Sequence, residues 1–209
     1  VAPEIAGTIT EIAFESGATV AKGDLLVKLD TSSEDAQLRA AEAQVKLAKL
    51  NADRARTLRA DKTVSQAELD QAEATLLQMQ ANADTISATI DKKTIRAPFA
   101  GQLGIRLVNL GEQLDVGKSI VSLQSLSPVY VDFSLPQQEL SQLQTGLVVQ
   151  VTSDAFPGQK FEGKLMAINP DLNAVTRSIQ LRAKLANTEQ RLRPGMFVRV
   201  EVELPGNQE

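Results

Sequence analysis

The residues able to do chemistry in this 209-residue sequence are few. It has no His and no Cys, which removes the commonest general base, the commonest thiol nucleophile and the usual zinc and copper ligands. The three thioethers that could hold a soft metal, Met79, Met166 and Met196, are far apart and fall mainly on apolar faces. Six Phe, one Tyr and no Trp leave little surface for stacking bases or lining a drug-sized pocket. A count of 22 basic against 26 acidic residues gives a net charge of −4, the wrong sign for a protein that binds by neutralising phosphates. The composition therefore excludes most catalytic constellations, gives no support to a metal site or a nucleic-acid partner, and reads as a scaffold or adaptor.

The elements carry more information. Hydrophobic residues make up 43% and charged residues 23%, close to a globular average, and no run approaches the roughly 18 apolar residues of a membrane span. Ile5-Ala6-Gly7-Thr8-Ile9 and Phe99-Ala100-Gly101-Gln102-Leu103 match, and the match continues ungapped: Gly17 with Gly111, Val20 with Leu114, Gly23 with Gly117, Leu26 with Ile120, Val27 with Val121, Leu29 with Leu123. Each copy alternates short β-rich runs with Gly at turns, so two paired half-domains are expected. Val1 opens in a strand-like run without Met or an apolar leader, which reads as a processed or trimmed chain.

Between the copies, from about Glu34 to Asp91, there is no Gly and no Pro, and good helix formers dominate. Leu38, Ala41, Val45, Ala48, Ala52 and Ala55 form one heptad seam; Leu69, Ala72, Leu76, Met79, Ala83, Ile86 and Ile90 form another. The break from Asp61 to Val64 is short, so the two helices are expected to fold back as an antiparallel coiled coil with Leu76 and Met79 facing Ala48 and Val45 or their neighbours. With only one narrow apolar seam per helix, the hairpin is expected to project into solvent. Capping-box pairs are expected within Thr31-Ser32-Ser33-Glu34-Asp35 and in Ser65-Gln66-Ala67-Glu68, the latter with a Val64–Leu69 staple. From Ser125 to Leu204 the period becomes two: Val129, Val131, Phe133, Leu135; then Ile179, Leu181, Ala183, Leu185; then Met196, Val198, Val200, Val202, Leu204. A small β-barrel follows, with a short amphipathic helix from Pro136 to Gln144 and a type II turn at Arg193-Pro194-Gly195-Met196.

The order of these parts resembles the periplasmic adaptor subunits (membrane fusion proteins, HlyD-like) of bacterial tripartite efflux pumps. The resemblance rests on the half-motifs around Gly7, Gly17 and Gly23 and around Ala97-Pro98, Gly101, Gly111 and Gly117, and on the barrel sequences Ile168-Asn169-Pro170, Thr176-Arg177-Ser178 and Leu192-Arg193-Pro194-Gly195-Met196. It implies a mainly β, α+β fold: a split lipoyl-like (barrel-sandwich hybrid) domain over 1–31 and 94–125, an α-helical hairpin over 32–93 and a β-barrel over 126–205. It also implies a membrane-proximal domain and an anchor outside these residues.

At the expected tip, Arg54, Leu58 and Ser65 reproduce the spacing of the family's motif for engaging a TolC-like outer-membrane channel. Arg54 and Leu58 stand four apart on one helix face, one position off the seam, so Leu58 is expected to point outward; Ser65 is equally accounted for as a cap. The resemblance implies a non-enzymatic adaptor without cofactor. It would lie in the periplasm, anchored to the inner membrane by an N-terminal segment, and join an inner-membrane resistance-nodulation-division (RND) transporter to that channel. Self-association, as a hexamer in the assembled pump, is also implied. An adaptor of an ABC-type exporter is the alternative within the family. A lipoyl or biotinyl carrier module is the alternative outside it, but such a carrier presents its modified Lys on the tight turn joining its halves; here that turn is replaced by the long hairpin, and Lys28 precedes it in the wrong context.

Overall fold

A computed structural model describes residues 1–204. They divide into two compact units, one from Val1 to Leu123 and one beginning at Gln124. In the first unit the repeat becomes a set of short strands: β1 (Gly7–Ile12), β2 (Thr19–Val20), β3 (Leu25–Leu29), β4 (Thr94–Arg96), β5 (Gly101–Leu103), β6 (Gln113–Leu114) and β7 (Leu123–Gln124), the last reaching one residue past the unit boundary. They form two sheets, ordered β4-β3-β1-β6 and β2-β5-β7.

The two copies exchange strands. Gly7 pairs with Leu114 and Thr8 with Gln113; the equivalent residues Gly101 and Gln102 pair with Val20 and Thr19. The correspondence extends to single hydrogen bonds. Ile9 N donates to Glu112 O at 2.9 Å and its counterpart Leu103 N to Ala18 O at 2.9 Å; Gly23 N donates to Ala97 O and its counterpart Gly117 N to Pro3 O. Gly17 and Gly111 hold φ of 83° and 79°, a turn conformation in which a Cβ would be strained. Matched pairs such as Leu26 and Ile120, or Val27 and Val121, fill one core with Ile9, Leu29 and Leu114. Each such aliphatic side chain contributes roughly 1.5–3 kcal/mol by leaving water, so neither half has a complete core without the other.

Helices α1 (Ser32–Ala60) and α2 (Gln66–Lys92) are inserted between β3 and β4, which are themselves paired at Val27↔Ile95 and Lys28↔Thr94. At about 1.5 Å per residue, 29 residues of α1 extend about 43 Å from that sheet. Every residue of both expected seams is buried or half-buried, with Ala41, Ala48, Ala52 and Ala83 the most enclosed. Small side chains there let the backbones approach closely. Leu38 and Val45 share a groove with Gln80, Ala83 and Ser87, and Arg56 Nε reaches Glu73 Oε1 across the helices at 2.8 Å, both in the antiparallel register expected.

Two expectations for the hairpin need correction. The cap of α1 is not a capping box: Thr31 makes no side-chain cap, and its hydroxyl donates to Asp35 Oδ2 at 2.9 Å instead. The reason is Lys93, whose ammonium donates to Glu34 Oε1 at 2.6 Å and to Asp30 O at 2.9 Å, so the carboxylate that would complete the box is drawn across the hairpin base. That ammonium, followed by the backbone N–H bond, holds the Glu34 carboxyl below the usual carboxylate range. The apolar pattern is also wider than one seam per helix, because Leu47, Leu50 and Leu77 lie off the seams and are 60%, 55% and 66% exposed.

The second unit is a five-stranded antiparallel sheet ordered β12-β9-β10-β11-β8: β8 (Val129–Pro136), β9 (Val148–Thr152), β10 (Lys160–Asn173), β11 (Ser178–Leu185) and β12 (Arg199–Val202). The predicted alternation holds in β11, where Ile179, Leu181, Ala183 and Leu185 are buried and their partners on β8 are Leu135, Phe133, Val131 and Val129. Strands β9 and β10 supply Val149, Val151 and Leu165 to the same core. The expected helix over Pro136–Gln144 is instead a shorter 3₁₀ segment, Gln137–Gln142. Gly195, with φ of 88° after Pro194, makes the anticipated type II turn, closed by Met196 N donating to Arg193 O at 3.2 Å. Asn187, buried, fixes the loop before that turn: its Nδ2 donates to Leu126 O and Leu192 O, and its Oδ1 accepts from Leu192 N. Residue 205, the end of the expected β-barrel segment, lies outside the described residues.

Candidate docking site at the hairpin tip

The tip is the short loop from Asp61 to Ser65, and it is built mainly from polar contacts. Asp61 N donates to Thr57 O and Lys62 N to Arg59 O, tightening the end of α1, and Thr63 N reaches back to Leu58 O at 2.8 Å. Lys62 turns the chain with φ of 57°. Arg59 then staples the loop from inside, its Nη1 donating to Val64 O at 3.2 Å and its Nε to Gln66 Oε1 at 3.3 Å.

The α2 start is a full capping box, as expected. Ser65 Oγ accepts from Glu68 N at 3.2 Å, and Glu68 Oε2 accepts from Ser65 N at 2.7 Å and from Ser65 Oγ at 3.0 Å. These bonds, the Ser65 backbone N–H first, hold the Glu68 carboxyl below its ordinary range. The Ser65 hydroxyl is thus already engaged within the chain.

Arg54 is exposed and has no ion-pair partner among the described residues, whereas Arg56, two residues on, is held by Glu73 and Asp53 at 2.8 and 2.9 Å. The Arg56 guanidinium is raised by those carboxylates, Glu73 first. Leu58 departs from expectation. It is half-buried, and its backbone carbonyl accepts the Thr63 N–H that turns the loop back. The structure therefore puts Arg54, Leu58 and Ser65 at the same end of the hairpin in three states: an exposed guanidinium without an ion pair among the described residues, a half-buried apolar side chain and a hydroxyl committed to a cap.

Sequence reasoning passed over two features of this hairpin. The Lys93–Glu34 contact at its base joins residues far apart in sequence, and no local pattern announces it. The exposed Leu47, Leu50 and Leu77 were legible, since with neighbouring Ala they keep heptad spacing opposite the seams. Among the described residues no helix is long and apolar enough to cross a membrane, and no cluster of acidic side chains is arranged to hold a metal ion.

Comparison with known proteins places these elements in context. Residues 1–125 match the CzcB-like barrel-sandwich hybrid domain, and residues 128–206 match the CusB-like beta-barrel domain. The chain is 35% identical over 201 residues to an uncharacterised protein of Haemophilus influenzae, covering 96% of this chain and 53% of that protein. It is 30% identical over 213 residues to the solvent efflux pump periplasmic linker SrpA of Pseudomonas putida, covering 95% and 56%. It spans about half the length of the curated relatives it matches. The fold is that of a crystallised MacA-MexA chimeric protein containing the Pseudomonas aeruginosa MexA alpha-hairpin domain, with a TM-score of 0.84 at 21% identity, covering 98% of this chain and 76% of that one.

Proposed function

Because this chain belongs to the CzcB-like barrel-sandwich hybrid family of membrane fusion proteins, the periplasmic adaptors of efflux pumps, we propose that its full-length protein links an inner-membrane RND transporter to a TolC-like outer-membrane channel for export of drugs or solvents. It catalyses nothing. It works in the periplasm, anchored to the inner membrane by an N-terminal segment, and self-associates, as a hexamer in the assembled pump. The observation that carries this reading is the insertion point. A hairpin of 29- and 27-residue helices replaces the turn between two adjacent paired strands, and its base is clamped by Lys93 to Glu34 and to the Asp30 carbonyl. Such an insertion gives a fixed reach of about 43 Å and no pocket chemistry. A polar tip bearing an exposed Arg54 suits a contact that forms and breaks. In this reading Arg54 donates hydrogen bonds to the channel, Leu58 is the apolar anchor beside it, and Ser65 shapes the tip by capping α2.

Deleting the gene is expected to lower tolerance to the pump's substrates, and the full-length protein is expected to restore it. A variant with residues 32–93 replaced by a tight turn between the paired strands keeps the sheet but loses the reach, so it is expected to restore nothing. Full restoration by the hairpin-less variant would overturn the adaptor reading.

A further inference from the structure

The joint between the hairpin and its sheet has no slack. Strand β3 reaches α1 through Asp30 and Thr31, and α2 reaches β4 through Lys93, with neither Gly nor Pro in either link. All three linking side chains are tied to the start of α1. Asp30 Oδ1 accepts from Ser32 N at 3.0 Å, the Thr31 hydroxyl donates to Asp35 Oδ2 at 2.9 Å, and the Lys93 ammonium donates to Glu34 Oε1 at 2.6 Å. Two of the three are also fixed to the sheet by their backbones: Asp30 N donates to Thr8 O on β1 at 2.8 Å, and Leu29 N on β3 donates to Lys93 O at 2.9 Å. Lys93 is therefore a brace across the joint, its carbonyl held by the sheet and its side chain gripping the first turn of α1.

Energetics separate this brace from an ordinary stabilising pair. In every other ion pair among the described residues at least one side chain is more than two-fifths exposed, whereas those of Lys93 and Glu34 are 11% and 21% exposed. Glu34 Oε2 is enclosed and has no hydrogen-bond partner among the described residues. Taking both charges out of water offsets much of their attraction, an apolar pair of the same volume often holds a fold as well, and the unpartnered oxygen adds a further cost. What an apolar pair lacks is direction, because only the hydrogen-bonded ion pair has one preferred geometry. Direction matters at the end of a lever about 43 Å long: a tilt of about 10° at the joint moves the tip by about 7 Å, beyond the reach of any hydrogen bond made there.

We propose that Lys93 and Glu34 are positioning residues whose contact aims the hairpin, holding the tip where its docking partner meets it while adding little to the stability of the fold. This rests on the adaptor reading above and names the residues that keep its reach in one direction. Because the chain has no Cys, spin labels can be attached through Glu11→Cys on β1 and Gln71→Cys on α2, both at exposed positions. Pulsed electron spin resonance on the otherwise unchanged chain is expected to give one narrow distance distribution, and Lys93→Met is expected to widen it at least twofold. The decisive variant carries Glu34→Leu and Lys93→Met together, which puts an apolar pair in the same place. Its helix content and melting are expected to stay at the wild-type level, its distance distribution to stay wide, and the full-length protein with both changes to restore tolerance poorly. A narrow, wild-type distribution in the double variant would overturn the proposal. Loss of its helix content would do the same, by making the pair a support of the fold, and so would full tolerance despite a wide distribution. The distance readout needs neither channel nor transporter, whereas failure of the adaptor reading shows elsewhere, as full restoration by the hairpin-less variant.

Discussion

Arg54→Asp in the full-length protein is expected to abolish pump-dependent drug tolerance while leaving the thermal unfolding and helix content of the protein unchanged. Arg54 is exposed, lies off the seam and has no ion pair among the described residues, so its loss breaks no ion pair among them. At the proposed docking surface, replacing a hydrogen-bonding cation with a carboxylate both deletes donors and introduces a desolvated charge of the wrong sign. Such a change at an interface anchor costs at least about 2 kcal/mol, roughly a thirty-fold weaker contact. Leu58→Asp is expected to act in the same direction with a second effect. Since Leu58 is half-buried, a carboxylate there also replaces a partly enclosed apolar side chain, and the loss of tolerance should come with earlier melting. The pair therefore separates docking from tip folding: normal tolerance with Arg54→Asp would remove the guanidinium from the docking surface.

Ala52→Glu is expected to have the largest effect on folding. Ala52 is fully enclosed in the seam of α1. A carboxylate there must either be buried without a partner, at about 3–5 kcal/mol, or push the helices apart along the Ala-rich seam. Helical circular dichroism should fall while the β signal of both sheet units persists, because the core of Ile9, Leu26, Leu29 and Leu114 contains no hairpin residue. Unchanged melting of the helical signal would show that the seam is not where the helices meet.

What was legible in the sequence follows from how local each signal is. The repeat was visible because its turns demand Gly at fixed places and its paired positions fill one core, so Val20 and Leu114 or Leu26 and Ile120 had to match. The seams were visible because a coiled coil repeats one contact many times, and the Ser65 box because all its atoms lie within four residues. Strand β10 was missed for the opposite reason. Register shifts between Leu165 and Ala167, and again between Ile168 and Leu172 around Pro170, break the alternation that marks a strand. The α1 cap was misread because a residue 59 positions away, Lys93, takes Glu34. At the tip, spacing along one helix placed Arg54 on the surface but did not show that Leu58 is half-buried, since burial depends on neighbours that such spacing does not give.

The central claim, that this protein physically bridges two membranes, is tested most directly by isolating the full-length, tagged protein from cross-linked cells and identifying what comes with it. Both an RND transporter and a TolC-like channel are expected with the wild type, and the Arg54→Asp variant is expected to retain the transporter and lose the channel. Recovery of an ABC exporter in place of the RND transporter would contradict the choice of pump. Recovery of neither membrane protein, or of the channel in equal yield from Arg54→Asp, would contradict the bridge itself or its contact at the tip.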